Sequence, residues 1–333
     1  MSDPGMRPFP SNSRSYCTRS AIRGVALLTA LILLALMAAI AAALSVGTGF
    51  MLHRQQAVSA QDQAWQLLGA TEALSSWALK DELTEPGLRV HQGQRWHQPL
   101  GPIEPITGAI LEAQLEDLQG RFNLNALLTA DGSVDPTALQ FFERLLQATG
   151  IEPEWAPRLA DWIDVDDKPL PGGGEEAFHA GANPAARPGN QWLISPSEIL
   201  SLPGFGLQRY QRLAPHITAL PPDAGLNVCT ATAAVLDSLS GDQQWLNQPD
   251  RLQEAQAEQC FPGEEAVRNS VRDPSAYLEL KRSLKLGETS RYFGLTTWVQ
   301  IGSGEFALYS VLRLEGGGAA RAQVRVLTRE SMQ

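Results

Sequence analysis

Histidine and cysteine are scarce in this chain of 333 residues, with five of the first and three of the second. Neither forms a metal-ligand pair or a nucleophile–base spacing, and HExxH, GxSxG, CxxC and phosphate-loop patterns are all missing. Those absences argue against zinc hydrolases, serine hydrolases, dithiol redox enzymes and nucleotide triphosphatases. No repeat of 20–50 residues recurs, which excludes solenoids and propellers. Positive charge is also short: 26 Lys and Arg face 36 Asp and Glu, for a formal net charge of −10. A chain with that balance repels nucleic-acid phosphates rather than gathering them.

One long apolar run stands out against this background. From Val25 to Leu52 no charge interrupts 28 residues, and a helix of that length reaches roughly 42 Å, more than a hydrocarbon core of about 30 Å. A cleavable secretory signal has an apolar region of only about 7 to 15 residues. Ahead of the run, Arg7, Arg14, Arg19 and Arg23 outnumber Asp3, so the positive-inside rule keeps residues 1–24 in the cytoplasm and exports everything after His53. The expected arrangement is a single pass through the inner membrane with a periplasmic C-terminal part. Subtracting the leader, that part carries about −13. About 280 residues after the span suffice for two packed units, or for one domain with a large insertion.

Cys17 lies in the leader, which leaves Cys229 and Cys260 as an even pair in an oxidising compartment; either they bridge or they are two separate buried thiols. A bridge closing about 30 residues would stabilise the fold by roughly 3 to 4 kcal/mol. Beyond the span, Leu67, Ala70, Leu74 and Trp77 recur at spacings of three and four. They predict that the first helix continues to about Pro86-Gly87 and lays this stripe on a sheet, with Gln61, Asp62, Gln66 and Lys80 toward solvent. Strands are expected over Ala109–Leu118, Gly294–Ile301, Glu305–Leu314 and Ala322–Leu327, the last three as an antiparallel meander. Between these strand groups the sequence reads as helical, with candidates at Thr137–Thr149, Glu154–Ile163, Ser197–Leu202 and Thr230–Leu239. Asp135-Pro136, Ser195-Pro196-Ser197-Glu198 and Thr230 offer start signals.

Between Asp161 and Glu176 six carboxylates, Asp161, Asp164, Asp166, Asp167, Glu175 and Glu176, face a single Lys168, with three glycines and two prolines among them. A flexible loop of this kind can gather the six to eight oxygens a hard cation takes, although the EF-hand pattern is absent and a solvated acidic turn has the same composition. Asn183 and Asn190 could add amide oxygens. The remaining histidines read as surface residues, with His179 alone near the acidic loop. Trp65, Trp77 and Trp298 read as core or subunit contacts, and Trp162 as a ring packed beside the acids.

A basic leader ending in Gly24, directly before an unbroken apolar helix, resembles the signal of type IV pilins and type II secretion pseudopilins. DLQGRFNLNAL from Asp117, LADWIDVDDKPLPGGGEEAFHA from Leu159, NQWLISPSEILSLPGFG from Asn190 and LNVCTATAAVL from Leu226 resemble one branch of that class, the K component of the type II secretion pseudopilus. The resemblance implies an α+β fold, a long N-terminal helix packed on an antiparallel sheet with a large inserted α-helical domain. The corresponding boundaries are a leader 1–24, a transmembrane segment 25–52, helix and first strands 53–123, a helical insertion 124–283 and a C-terminal sheet 284–333. It also implies cleavage between Gly24 and Val25 by a prepilin peptidase, with methylation of the new amine. Pilins usually carry Glu at the fifth mature position; here it is Thr29, and the K branch commonly lacks that Glu.

The implied role is assembly rather than catalysis. The chain would join the I and J minor pseudopilins and other pseudopilus subunits in a tip complex that initiates or limits growth, facing the secretion channel or cargo. The resemblance further implies structural calcium, carried onto Asp164, Asp166, Asp167, Glu175 and Glu176, with Asn190 as the preferred amide ligand. The rival reading is a membrane-anchored helix-hairpin-helix DNA receptor, since SEILSLPGFGLQRYQRL (Ser197–Leu213) has such a hairpin form. Only Arg209 and Arg212 flank it, in an acidic ectodomain, and a hairpin kept for packing needs no nucleic acid.

Overall fold

The computed structural model describes residues 20–85, 87–176, 180–181, 187–316 and 322–332. Residues 1–19 of the leader, with Cys17, and the candidates His179 and Asn183 lie outside these. The chain divides into two units, residues 1–60 and 61–333.

The first unit holds the N-terminal part of α1 (Ser20–Glu82). Val25–Ser45 is long and apolar enough to cross a membrane, and its residues are exposed. Its 21 residues correspond to a rise of roughly 32 Å. Uncharged and exposed, this stretch has the length and composition of a membrane span.

In the second unit, the outer part of α1 lies on a five-stranded antiparallel sheet. The strands are β1 (Leu100–Ile106), β2 (Ala109–Asp117), β5 (Tyr292–Ile301), β6 (Gly304–Glu315) and β7 (Gln323–Met332), in the order β1-β2-β5-β6-β7. β2 alternates strictly, placing Ala109, Leu111, Ala113, Leu115 and Asp117 inside, the period-two signature of a half-buried strand. Leu68 packs with Leu111, Val299 and Leu308, and Leu79 with Leu115, Phe293, Leu295 and Leu312.

The helix face that meets the sheet differs from the expected one. Ala64, Leu68, Thr71, Glu72, Ser75 and Leu79 are buried, whereas Leu74 and Trp77 are 50% and 62% exposed. Polar side chains can take the inner face because they are satisfied there. Thr71 Oγ1 donates to the Leu67 carbonyl at 2.9 Å. Glu72 accepts from Ser310 Oγ at 2.8 Å and from Arg329 Nε and Nη2 at 2.9 and 2.8 Å, a forked ion pair from helix to strand. Ala70, Leu74 and Trp77 therefore form a second apolar face, turned away from the sheet, while Leu67 is half-buried against the core around Leu68 and Leu111.

β1 was not expected. Its sequence, LGPIEPI, carries two prolines that cannot donate to a ladder, and it survives only at the sheet edge with two register shifts against β2.

Between β2 and β5 the chain builds the helical insertion. Its helices are α2 (Pro136–Ala148), α3 (Trp155–Ile163), α4 (Leu207–Leu213), α5 (Ala233–Ser240), α6 (Pro249–Glu258), α7 (Glu264–Ser270) and α8 (Pro274–Ser283), with a two-stranded parallel ladder of β3 (Phe122–Asn123) and β4 (Ile217–Thr218). Asp135 caps α2, accepting from Thr137 N and Ala138 N at 2.8 and 3.1 Å. The apolar spacing of Ala138, Phe141, Phe142, Leu145 and Leu146 then drives one face of that helix into a core shared with Phe122 and Trp155. Cys229 and Cys260 are disulfide-bonded.

Thr230 does not cap α5; Thr232 occupies that position. Thr230 Oγ1 instead donates to Asp117 Oδ2 at 2.6 Å, joined there by Ser290 Oγ at 2.6 Å and Asn227 Nδ2 at 2.9 Å, while Gln119 N donates to Oδ1 at 2.9 Å. Burial pushes this carboxyl up from the ordinary range, and the four donors pull against that shift. The knot fastens the insertion to the end of β2. Gly120 permits it, because a Cβ there would lie 2.4 Å from the Thr230 carbonyl oxygen.

Candidate functional site

The acidic loop leaves the C-terminus of α3 at Asp164 and folds back over that helix. Asp161, fully buried, accepts from Leu170 N at 3.0 Å and from Gly174 N at 2.8 Å through Oδ2. Only glycine suits position 173, where a Cβ would stand 2.0 Å from the same Asp161 oxygen. The fold-back brings carboxylate oxygens of Asp161, Asp164 and Glu175 within 4.8 Å of one another. Asn190, at φ 43°, reaches the same turn of α3 by donating its N–H to the Trp162 carbonyl at 3.2 Å.

Three buried oxygens in this region, Asp164 Oδ1, Glu175 Oε1 and Asn190 Oδ1, have no hydrogen-bond partner among the described residues. Buried acceptors are normally satisfied, and leaving one bare costs roughly 1–3 kcal/mol. The charges conflict as well. Burial first, and then the fields of Glu175, Asp161, Asp166 and Asp167, push Asp164 up to about 7. Glu175 is raised in the same way by burial and by its acidic neighbours. A divalent cation taking oxygen ligands would remove both costs at once, so the donor set fits a hard cation such as calcium.

Of the ligands expected from sequence, Asp164 and Glu175 are brought together and Asn190 is anchored to the adjoining turn. Asp166, Asp167 and Glu176 are exposed and stand outside the cluster. Asp166 Oδ1 accepts from Lys168 N at 2.7 Å, and Glu176 pairs with Arg187 Nε at 3.5 Å. Asp161 was missed as a member of the cluster. Its signal lay in its i, i+3 spacing from Asp164 at the end of a helix, which puts both carboxylates on one side of the final turn.

The hairpin that suggested DNA binding is closed to that use. Arg209 makes a forked pair with Glu152, Nε and Nη2 lying 2.8 and 3.0 Å from its oxygens, and Nη1 donates to the Phe205 carbonyl at 3.0 Å. Arg212 Nη1 donates to the Gly150 carbonyl at 2.7 Å. Both cations needed for phosphate contact bind the loop before α3, so the hairpin serves packing. At the N-terminus, Gly24 and Val25 lie within α1, and Thr29 Oγ1 donates to the Ala26 carbonyl at 3.0 Å. That hydroxyl is satisfied within its own helix, whereas a carboxylate at the same depth would need an outside partner.

A single apolar anchor helix, a helix-on-sheet unit of pilin type and a disulfide-bonded helical insertion together define the class: a pilin-like protein enlarged by an inserted domain. The sequence profile of the family described as "Type II secretion system (T2SS), protein K" matches residues 120–222. Type II secretion system protein K of Pectobacterium carotovorum subsp. carotovorum is 32% identical over 90% of this chain and 94% of its own length. The protein of the same description from Pseudomonas aeruginosa is 30% identical over 91% and 92%. The chain belongs to the type II secretion system protein K family. Its fold is similar to a chain of the crystal structure of the GspK-GspI-GspJ complex from enterotoxigenic Escherichia coli, with a TM-score of 0.68, 23% identity, and coverage of 84% of this chain and 99% of that one.

Proposed function

We propose that this protein is a minor pseudopilin that joins the I and J pseudopilins in a tip complex, where it initiates or limits pseudopilus assembly for export across the outer membrane. The observation that carries the reading is the second apolar face of α1. Ala70, Leu74 and Trp77 form a stripe facing away from the sheet, and such a stripe gains by insertion between the helices of other subunits. The complex that gives the structural neighbour its name is formed by K, I and J proteins, which supports the same choice of partners here.

Prepilin peptidase would cut between Gly24 and Val25 in the cytoplasmic half of the membrane, and the new amine would be methylated. The remaining chain would stand in the periplasm on the Val25–Ser45 span. Thr29 leaves position five without a carboxylate to offset a neighbour's amine, consistent with a subunit that has nothing ahead of it. Calcium held by Asp161, Asp164, Glu175 and Asn190 would neutralise the crowded acids and fix the insertion's surface toward channel or cargo. The role is structural rather than catalytic.

The test is co-purification of the full chain, in lipid nanodiscs, with the I and J pseudopilins of the same secretion system. A complex lost on Leu74→Asp or Trp77→Asp, with the melting temperature unchanged, is the expected result. Complexes that form equally well with both variants would overturn this assignment of the interface, and no complex with the parent chain would overturn the tip role.

A further inference from the structure

The two edges of the sheet are unlike. β1 is guarded by Pro102, Pro105 and two register shifts, devices that stop another strand from pairing. β7 ends the sheet on the other side with ten residues, QVRVLTRESM, free of proline and glycine. Its one irregularity falls against β6, where Val311 pairs with Thr328 and Leu312 with Val326. Leu327 is the extra residue of that bulge and is 37% exposed.

Beside this edge, on the sheet face opposite α1, lies an apolar groove of about 410 Å³. Val311 and Leu327 of the sheet, Pro221 and Pro222, and Trp192 and Ile194 line it, the last two 49% and 74% exposed. No charged residue lines it. At its end a charge is left uncompensated: Arg325 stands directly opposite Arg313 across the β6–β7 ladder. Arg313 is near Asp223 and Glu315, at 3.8 and 3.6 Å, whereas Arg325 has no acidic partner within 4.0 Å among the described residues. Like charges directly opposite on a sheet are unfavourable.

We propose that the free edge of β7 and the Trp192–Ile194 groove form one docking site for an extended segment of another protein, which adds as a sixth strand. Main-chain hydrogen bonds to β7 supply the register, apolar side chains at alternate positions enter the groove, and an acidic side chain on the same face meets Arg325. This is the division of labour of strand addition, with backbone for affinity and alternate pockets for specificity. The site is separate from the Ala70–Trp77 stripe, so it can be engaged while α1 packs against other subunits.

The test uses the full chain in lipid nanodiscs and a fluorescent ten-residue peptide of alternating valine and threonine in which one valine is replaced by glutamate. Expected results are saturable binding by anisotropy, with slowed amide exchange at residues 323–332 and unchanged exchange in β1. Leu327→Asp should abolish binding. Arg325→Glu should weaken it about fivefold, and a companion peptide with lysine in place of the glutamate should restore it, which a misfolded variant would not allow. Equal binding by a peptide with prolines at its threonine positions would overturn strand addition, as would protection at β1 instead of β7. Indifference of Arg325→Glu to the charge swap would overturn the recognition of an acid. Self-association of the chain without peptide, lost in Leu327→Asp, would assign the face to a second copy and overturn the proposed partner.

Discussion

Asp117 and Asp164 are both withdrawn from water within the same unit, and both stand next to the end of a regular element: Asp117 closes β2 and Asp164 follows α3. Their surroundings are opposite. Asp117 accepts four hydrogen bonds from Gln119, Asn227, Thr230 and Ser290, all within 2.9 Å. Asp164 has an Oδ1 with no hydrogen-bond partner among the described residues, and the fields of four other acids upon it. The difference teaches what burial alone cannot say. The first carboxylate is a joint, complete in the isolated chain, and the second is the acceptor at which the proposed cation would bind.

If so, removing the two carboxylates should move stability in opposite directions. Asp117→Ala should have the largest effect, about 3–5 kcal/mol of destabilisation, because it takes the acceptor from the Thr230 and Ser290 hydroxyls and the Gln119 N–H in a dry junction. Near-UV circular dichroism melts would read it, and a loss below 1 kcal/mol would deny Asp117 its role. Next is the disulfide that staples the same junction, since Cys229 N donates to Asn227 Oδ1. Replacing both cysteines by serine should cost roughly 3–4 kcal/mol for a separation of 31 residues.

Calcium should act on the other site alone. At about a hundred times its dissociation constant it should stabilise the chain by roughly 2.7 kcal/mol, seen as a rise in melting temperature over chelated protein. Asp164→Asn should raise the melting temperature of the chelated chain and remove the response to calcium. A calcium response that survives Asp164→Asn would break the contrast.

Glu72, paired with Ser310 and Arg329, gives the smallest effect. Its carboxyl is held below the ordinary value of 4.5, chiefly by the hydrogen bond from Arg329. Its contribution is therefore present above pH 4.5 and lost as pH falls through the lower folded value. Glu72→Gln should cost about 1 kcal/mol at neutral pH and flatten the acid limb of the stability profile; an unchanged limb would show the pair to be idle.

The legible parts of this fold were those in which hydrophobicity and local geometry agree. The Val25–Ser45 span, the alternation in β2 and the glycine-punctuated meander of β5 to β7 all speak through neighbours in sequence. The inner face of α1 did not, because Glu72 is held there by Ser310 and Arg329, more than 200 residues away, and Thr71 and Ser75 are buried beside it. The most apolar stripe was read as the core face and, from Ala70 to Trp77, is the outer one. β1 was hidden by its own prolines. At the acidic loop, composition drew attention to the segment, but Asp161 and Glu175 meet only because residues 164–174 fold back, and which acids turn outward follows from contacts such as that of Glu176 with Arg187. Asp117 could be seen as part of a family motif but not as a hub, since three of its four donors lie at least 110 residues away.

The register of β2 and β5 carries one more consequence. Asp117 pairs with Phe293 and Ala109 with Ile301 without a break, so the chain departs from the sheet and returns to it at adjacent points. Geometrically the whole insertion occupies the place of a hairpin turn, and a short connection would join the same two strands in the same register. Such an attachment point tolerates exchange: the upper part of the molecule can be enlarged, trimmed or replaced over generations while the sheet beneath keeps its pairing. The exchange would have to keep the fastening at its base, where Thr230 reaches Asp117 and where Leu220 and Ala224 pack with Leu118 and Tyr292.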